Sequence, residues 1–202
     1  MAPRRTRGER VGLTRARVID AALAIVDRDG LAALSMRRLG TELGVEAMTV
    51  YHHVPGKEAV LDGLVERVLA GAGEIEGDEW SGALRTYAVS LRAALLAHPG
   101  VLPLALSRPA TTPEALALVE RGLHLLTTSG FEIGRALDLL NALTVLVVGH
   151  TIAEAAISDA PAADYADLPL LRQAALMGVG TSDEARFRFA VDALLAGAAP
   201  RR

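Results

Sequence analysis

Residues Leu43–Lys57 read LGVEAMTVYHHVPGK. A short apolar-periodic run reaches Tyr51-His52-His53 and is halted by Pro55-Gly56, so the segment reads as a short helix, Glu46–His53, with polar aromatics at its end. At about 100° per residue, Ala47, Met48, Tyr51 and His52 share one face and Val50 turns away from it. Val45, Val50 and Val54 are the side expected to pack inward. Four uses of Tyr-His-His compete: metal ligation, acid–base chemistry, a packed corner, or a contact surface. Adjacent helical side chains diverge, so His52 and His53 do not easily share a metal, which a helix grips at i and i+4. No carboxylate stands at a matching spacing. A packed Tyr51 beside two solvated histidines stays an alternative. Methyl groups, a thioether, a phenol and an imidazole suit a DNA major groove, where thymine methyls and base edges are read. Thr49 at the side of that face and Lys57 just past the stop are placed for phosphates.

Working outward, helical periodicity dominates and no run alternates as a strand does. A first helix is expected from the cap Thr14 to Asp29, ended by Gly30, with Ile19, Ala22, Leu23 and Val26 as its core stripe. Ser35 caps a second, Met36–Leu43, ended by Gly44. Three short helices with a tight turn between the second and third make a helix-turn-helix plan. A longer helix should follow over Lys57–Glu74, with the stripe Val60, Leu61, Leu64, Val65, Val68 and Leu69, then another over Glu79–His98 stopped by Pro99-Gly100. Thr112-Pro113-Glu114 starts the next, which Gly130 ends. Phe131–Ser158 is the most apolar helix, and 159–167 a loop. A short helix over Leu168–Met177 precedes Thr181-Ser182-Asp183-Glu184, a capping box opening the last helix, to Ala198. The fold class is all-α. The domains are a basic arm over residues 1–12, a helix-turn-helix domain over 13–58, and a larger helical bundle over 59–202.

Composition narrows the chemistry. Of 202 residues 51% are apolar and only 3% aromatic, so the core is built from Leu, Val and Ala. With no cysteine, disulfides, thiolate zinc sites and Cys nucleophiles are excluded. The net charge of −3 conceals an asymmetry: residues 1–58 hold 10 basic and 7 acidic side chains, the rest 11 and 17. A basic end on an acidic chain points to a polyanion at that end, or to a solvated tail. No apolar h-region follows the N-terminal MAPRRTRGER. The charge-free stretch Leu139–Ala153 falls short of the ~20 residues of a membrane span, and the chain is expected to be cytoplasmic. Glycine-rich phosphate loops, paired carboxylates and metal-spaced clusters are absent from the sequence, which argues against an enzyme. No cofactor or metal is expected.

The segment LTRARVIDAALAIVDRDGLAALSMRRLGTELGVEAMTVYHHVPGKEAVLDGLVERVLA, residues 13–70, resembles the DNA-binding domain of the TetR family of bacterial repressors. The motifs that carry the likeness are A-A-L in the first helix, D-G-L before the second, the L-G-V turn, and T-V-Y-H-H-V followed after a gap by Lys57. The resemblance implies DNA contacts from Ala47, Met48, Thr49, Tyr51, His52 and His53, from Met36 and Arg37 at the start of the second helix, and from Lys57. Within that set Ala47, Met48 and His52 are assigned to base edges, Tyr51 and Lys57 to phosphates, and Arg37 to either. Tetracycline repressors usually carry Gln-Pro where this chain has Ala47-Met48, so their operator is no guide here.

A weaker resemblance continues in D-E-W at 78–80, L-R-A-A-L-L at 91–96, S-R-P at 107–109 and S-G-F at 129–131. It implies a regulatory domain that encloses a small-molecule inducer, and a homodimer on a palindromic operator in double-stranded DNA. Independently, Leu137, Leu139, Leu140, Leu143, Val145, Leu146, Val147 and Val148 surround most of their helix, and a helix apolar all round must be covered. A second copy, or the chain's own core, would do this; the last helix would add Phe187, Val191, Leu194 and Leu195. Tyr87, His98, Arg108, Asn141 and His150 are polar groups in apolar surroundings and are the candidate ligand-binding residues. Histidines and an asparagine hold magnesium–tetracycline in the family's namesakes. At the corresponding positions this chain has Gly73, Tyr87, Leu104 and Val145, while Arg108-Pro109 is kept, so that ligand is not expected. The expected function is a ligand-responsive transcriptional regulator, a repressor released by its inducer. A helix-turn-helix that grips protein instead is the alternative, and salt dependence separates the two.

Overall fold

Side-chain caps and glycines decide where the helices of this chain begin and end. A computed structural model describes residues 12–105, 107–108, 112–157, 167–177, 182–198 and 200. Among them every regular element is helical: α1 Arg15–Asp29, α2 Met36–Glu42, α3 Ala47–Tyr51, α4 Lys57–Ala70, α5 Trp80–Ala97, α6 Leu102–Ala105, α7 Pro113–Thr128, α8 Ile133–Ile157, α9 Pro169–Met177 and α10 Asp183–Gly197, with 3₁₀ turns at Leu31–Ala33 and Pro99–Val101. Thr14 caps α1 by accepting the Arg17 N–H at 3.2 Å, and Ser35 caps α2 by accepting that of Arg38 at 3.2 Å. Both satisfy a donor that the helix start leaves free.

Several boundaries differ from expectation. α3 is shorter than Glu46–His53, because Glu46 is its N-cap and His52 its C-cap. α4 stops at Ala70 instead of Glu74, since Gly71 caps it and Gly73 turns the chain with φ +77°. Glu79 stands outside α5 as an acceptor for the Ser81 and Gly82 N–H groups. The proline-rich stretch after His98 contains a 3₁₀ turn and α6, an added element the prolines concealed; Pro103 fits its first turn, where no N–H is needed. Ser182 caps α10, its hydroxyl accepting the Ala185 N–H. The basic arm up to Val11, Pro109, Ser158, the loop residues 159–166 and Thr181 lie outside the described residues.

The described chain forms two compact units: one holds residues through Gly73 together with Ala93–Leu116, the other Glu74–Arg92 together with residues from Ala117 on. In the first, the expected stripes of α1 and α4 are buried, except that Leu69 is only half-buried. α1 and α4 approach so closely that a Cβ on Gly63 would lie 2.4 Å from Ile19 Cδ1. In the second, α8 packs on α10 and on α7, where a Cβ on Gly122 would lie 2.9 Å from Leu140. Trp80 meets Phe131 edge-on with ring centroids 4.9 Å apart. Phe187, Val191 and Leu195 of α10 are buried inside this unit and do not face outward as expected for a dimer surface. By length and composition Ile133–Ala156 could cross a bilayer, with mean hydropathy 1.6 in its best window. It is longer than the charge-free stretch Leu139–Ala153 because it takes in Arg135, Asp138 and Glu154 toward its ends.

Candidate nucleic-acid interface and ligand site

The turn between α2 and α3 sets the reading face. The Val45 N–H donates to the Gly40 carbonyl at 2.9 Å, and Gly44 adopts φ +67°. A Cβ on Gly40 would lie 2.9 Å from the Val45 carbonyl oxygen and 3.0 Å from the Ala47 nitrogen, so only glycine lets the two helices meet this closely. Sequence reasoning passed over Gly40; a small residue at mid-helix before a turn is its signal. Val50 and Val54 anchor α3 in the core, fully buried. Outward go Met48, 65% exposed, Tyr51, 43% exposed, and His52, while Ala47, Thr49 and His53 are half-buried. No acidic side chain lies between Ala47 and His53.

The cations around this face are unequal. Arg28 donates to Asp29 at 2.9 Å and forks onto Glu42 at 3.1 and 3.3 Å, and Arg38 donates to Asp29 at 2.6 Å. Hydrogen bonding to Arg28 holds the Glu42 carboxyl below the usual carboxylate range. Arg37 and Lys57 are exposed and make no ion pair among the described residues. Met36 has its side chain in the core, so what it can offer DNA is the free N–H of a helix start.

The five candidate ligand residues divide. His98 and Arg108 fall in the first unit; Tyr87, Asn141 and His150 in the second. His98 Nδ1 is 2.9 Å from Asp27 Oδ2, and Arg108 is paired with Glu58 and Asp62. Asn141 is exposed on α8. Tyr87 is buried without a hydrogen bond among the described residues, and burial pushes its hydroxyl up to about 12, so it stays a neutral donor. His150 has a buried Nδ1 with no hydrogen-bond partner among the described residues, 3.9 Å from Glu154 Oε2, and meets Phe187 edge-on at 5.3 Å. Arg92 forks onto Glu154 at 2.6 and 2.8 Å and lies 5.3 Å over the Phe187 ring. Among the described residues no three His, Cys, Asp or Glu side chains cluster as a metal would require.

Two surfaces of the second unit stay open. Ile133, Leu137, Asn141 and Val145 form an exposed i, i+4 row on α8, with Val145 61% exposed, and Phe189 of α10 is 76% exposed. Between α8 and α10 runs a cleft of about 370 Å³, lined in part by Leu139, Ala142, Ala193 and Leu194.

Comparison with known proteins bears on both ends of the chain. Residues 18–64 match the family profile of bacterial regulatory proteins, tetR family, and residues 73–201 that of the tetracyclin repressor-like C-terminal domain. The tetracycline repressor protein class D of Escherichia coli is 33% identical over 195 residues, covering 92% of this chain and 88% of that one. ActR of Streptomyces coelicolor in complex with actinorhodin superposes with a TM-score of 0.76 at 26% identity, covering 92% of this chain and 96% of that one. A TetR point variant of Acinetobacter baumannii AYE in complex with minocycline superposes with a TM-score of 0.73 at 29% identity, over 92% and 96%.

Proposed function

We propose, from the premise that this chain belongs to the TetR family of bacterial regulators, how its particular residues serve that family's work. It is a ligand-responsive DNA-binding transcriptional regulator and not an enzyme. TetR-family regulators bind DNA and small molecules and act as dimers. Here the homodimer represses in the cytoplasm, holding a palindromic operator whose half-sites repeat at the spacing of two reading helices. Met48, His52 and Ala47 read base edges. Tyr51, Thr49, Lys57, His53 and the Met36 N–H hold phosphates, and Arg37 serves base or phosphate. The observation that carries this is the exposed, acid-free face of α3 flanked by Arg37 and Lys57, two cations without an ion pair among the described residues.

The inducer is received in the second unit, with Tyr87 as hydrogen-bond donor and His150 through its Nδ1, which has no hydrogen-bond partner among the described residues; Asn141 on the open row of α8 is the weaker member, and His98, engaged with Asp27 in the first unit, leaves the set. ActR is solved with actinorhodin and a TetR protein with minocycline, which supports a polycyclic aromatic molecule as ligand class. Magnesium–tetracycline is not the ligand we propose, because the metal-holding positions carry Gly73, Tyr87, Leu104 and Val145. Tight magnesium-dependent binding in a titration with the drug would refute that. Ligand binds better to a form that holds DNA poorly, and so empties the operator.

The test is selection of bound fragments from random duplex DNA at about 0.15 M salt, with Tyr51→Ala as control. A palindromic consensus lost in the variant is expected. No enrichment, or complex formation indifferent to salt, would transfer the reading face to a protein partner.

A further inference from the structure

Arg108 follows α6, and its guanidinium lies across the first turn of α4, within the first unit. Nη1 donates to the Glu58 carbonyl oxygen at 3.3 Å and to the Asp62 carboxylate; Nη2 donates to the Glu58 carboxylate at 2.5 Å. One side chain thus takes three acceptors at the start of a single helix. Its own side chain is only 18% exposed, whereas those of Glu58 and Asp62 are 79% and 50% exposed, so the grip comes from the Arg108 side. The turn it holds has no side-chain cap, because its N-cap is Gly56. That turn begins with Lys57.

We propose that Arg108 is a positioning residue for DNA binding: its fork on Glu58 and Asp62 holds the first turn of α4 so that Lys57 meets the operator backbone. The assignment rests on reading the first unit as the DNA-binding part, and it moves Arg108 from the ligand set to the DNA-reading machinery. Two physical effects act together. Glu58 and Asp62 stand at i and i+4, where like charges repel and work against the helix, and the guanidinium between them removes that repulsion. At about 1.5 Å of rise per residue, both carboxylates also lie within about 8 Å of the start of α4. That is no more than the screening length at physiological salt, so uncompensated they would repel the phosphate that Lys57 attracts. The bonds are charge-assisted, which shortens and strengthens them relative to neutral ones. Any displacement of Arg108 therefore acts on operator affinity through Lys57.

The test uses the full chain and the duplex that the wild type selects. Arg108→Gln should weaken binding about five- to tenfold, the equivalent of one good charge-assisted contact, while the thermal midpoint and helical content stay near wild type. Arg108→Glu should weaken it further, and Arg108→Glu with Asp62→Arg should recover most of the loss, judged against Asp62→Arg alone as the baseline for an added cation. A merely structural arginine would lower the melting midpoint in step with affinity, and reversing the pair would not restore it. Wild-type affinity in Arg108→Gln, or a reversed pair that folds yet binds no better than Arg108→Glu, would overturn the proposal while leaving the DNA-binding reading intact. A wild type that selects no sequence at all removes that reading and this proposal with it. Should either single variant fail to fold, the reversed pair alone decides: folding with restored binding supports the clasp, folding without it refutes it.

Discussion

In the first unit many charged side chains are matched to one another. Arg15 meets Glu66 at 2.6 Å, Arg67 meets Asp20 at 2.8 Å, and Arg28 and Arg38 share Asp29, with Glu42 also held by Arg28. The second unit leaves apolar side chains in water, with Ile133, Leu137, Val145 and Phe189 exposed, and two buried polar atoms, Arg121 Nε and His150 Nδ1, have no hydrogen-bond partner among the described residues. Exposed ion pairs add little stability singly, so the matching in the first unit matters less as glue than as selection: it leaves Arg37 and Lys57 as spare cations beside α3. Open apolar rows and unsatisfied polar atoms are costs unless something covers and pairs them. On the proposed reading, the first unit offers a finished surface for DNA, and the open row and unpaired atoms of the second are where a second copy and a ligand would be taken up.

The strongest way to break the comparison is at the turn that finishes the first unit. Gly40→Val drives Cβ and two methyl groups into the backbone of Val45 and Ala47, which cannot rotate aside. Overpacking of this kind costs roughly 1–3 kcal/mol, and operator binding should be lost with it; denaturant melts and a binding isotherm check both. Wild-type values would show that α2 and α3 need not approach as described. The second unit breaks at its open row. Val145→Glu with Phe189→Glu should leave the folded monomer intact, since both side chains are exposed, yet shift it from dimer to monomer by about 2 kcal/mol or more, because an interface would bury two unpaired charges. Sedimentation at micromolar concentration reads this, and an undisturbed dimer would move the interface elsewhere. A finer cut separates specificity from grip. Met48→Ala or His52→Ala should change the selected sequence at roughly 1–3 kcal/mol per lost base contact. Lys57→Ala should weaken all sequences alike and lower the salt slope by about one.

Much of the first unit was legible in the sequence because local chemistry decides it. Thr14, Ser35, Gly30 and Gly44 each satisfy or permit one backbone geometry, and an i, i+3, i+4 stripe declares its buried face. Gly40 showed in the sequence only as a small residue at mid-helix, since the close approach that requires it comes from Val45 and Ala47, five and seven positions on. In α8 the apolar pattern runs all round, so it could say that covering was needed but not which side the chain covers itself; packing puts Leu139, Leu143 and Val147 inside and leaves Val145 out. Phe187, Val191 and Leu195 were misread for the same reason: a core stripe and an interface stripe share one spacing. Pairing across long separations was equally hidden. Nothing in the sequence joins His98 to Asp27 or Arg108 to Asp62, and those contacts, 71 and 46 residues apart along the chain, distinguish polar groups already hydrogen-bonded from Tyr87 and the Nδ1 of His150, which have no hydrogen bond among the described residues.

The smallest expected effect sharpens the comparison at the helix starts themselves. α1 and α2 of the first unit are capped by hydroxyls, which do not titrate in acid. α5 and α8 are capped by carboxylates: Glu79 accepts the Ser81 and Gly82 N–H groups, and Glu132 those of Gly134 and Arg135, at 3.0 and 3.2 Å in the second case. These backbone hydrogen bonds favour the charged form and hold both carboxyls below the usual carboxylate range. A group whose folded value is depressed contributes stability that is fully present above its unfolded value, about 4.5, and is lost as pH falls through the lower folded value. Both groups are fully exposed, so the effect is local. In an NMR titration from about pH 6 to about pH 3, the Gly82 and Gly134 amide protons should move together with loosening of the α5 and α8 starts, while that of Arg38, held by Ser35, stays still. Glu132→Gln keeps an acceptor but removes the proton, and should flatten the Gly134 curve alone. A Gly134 amide indifferent to acid in the wild type would mean that the Glu132 cap is not formed in solution.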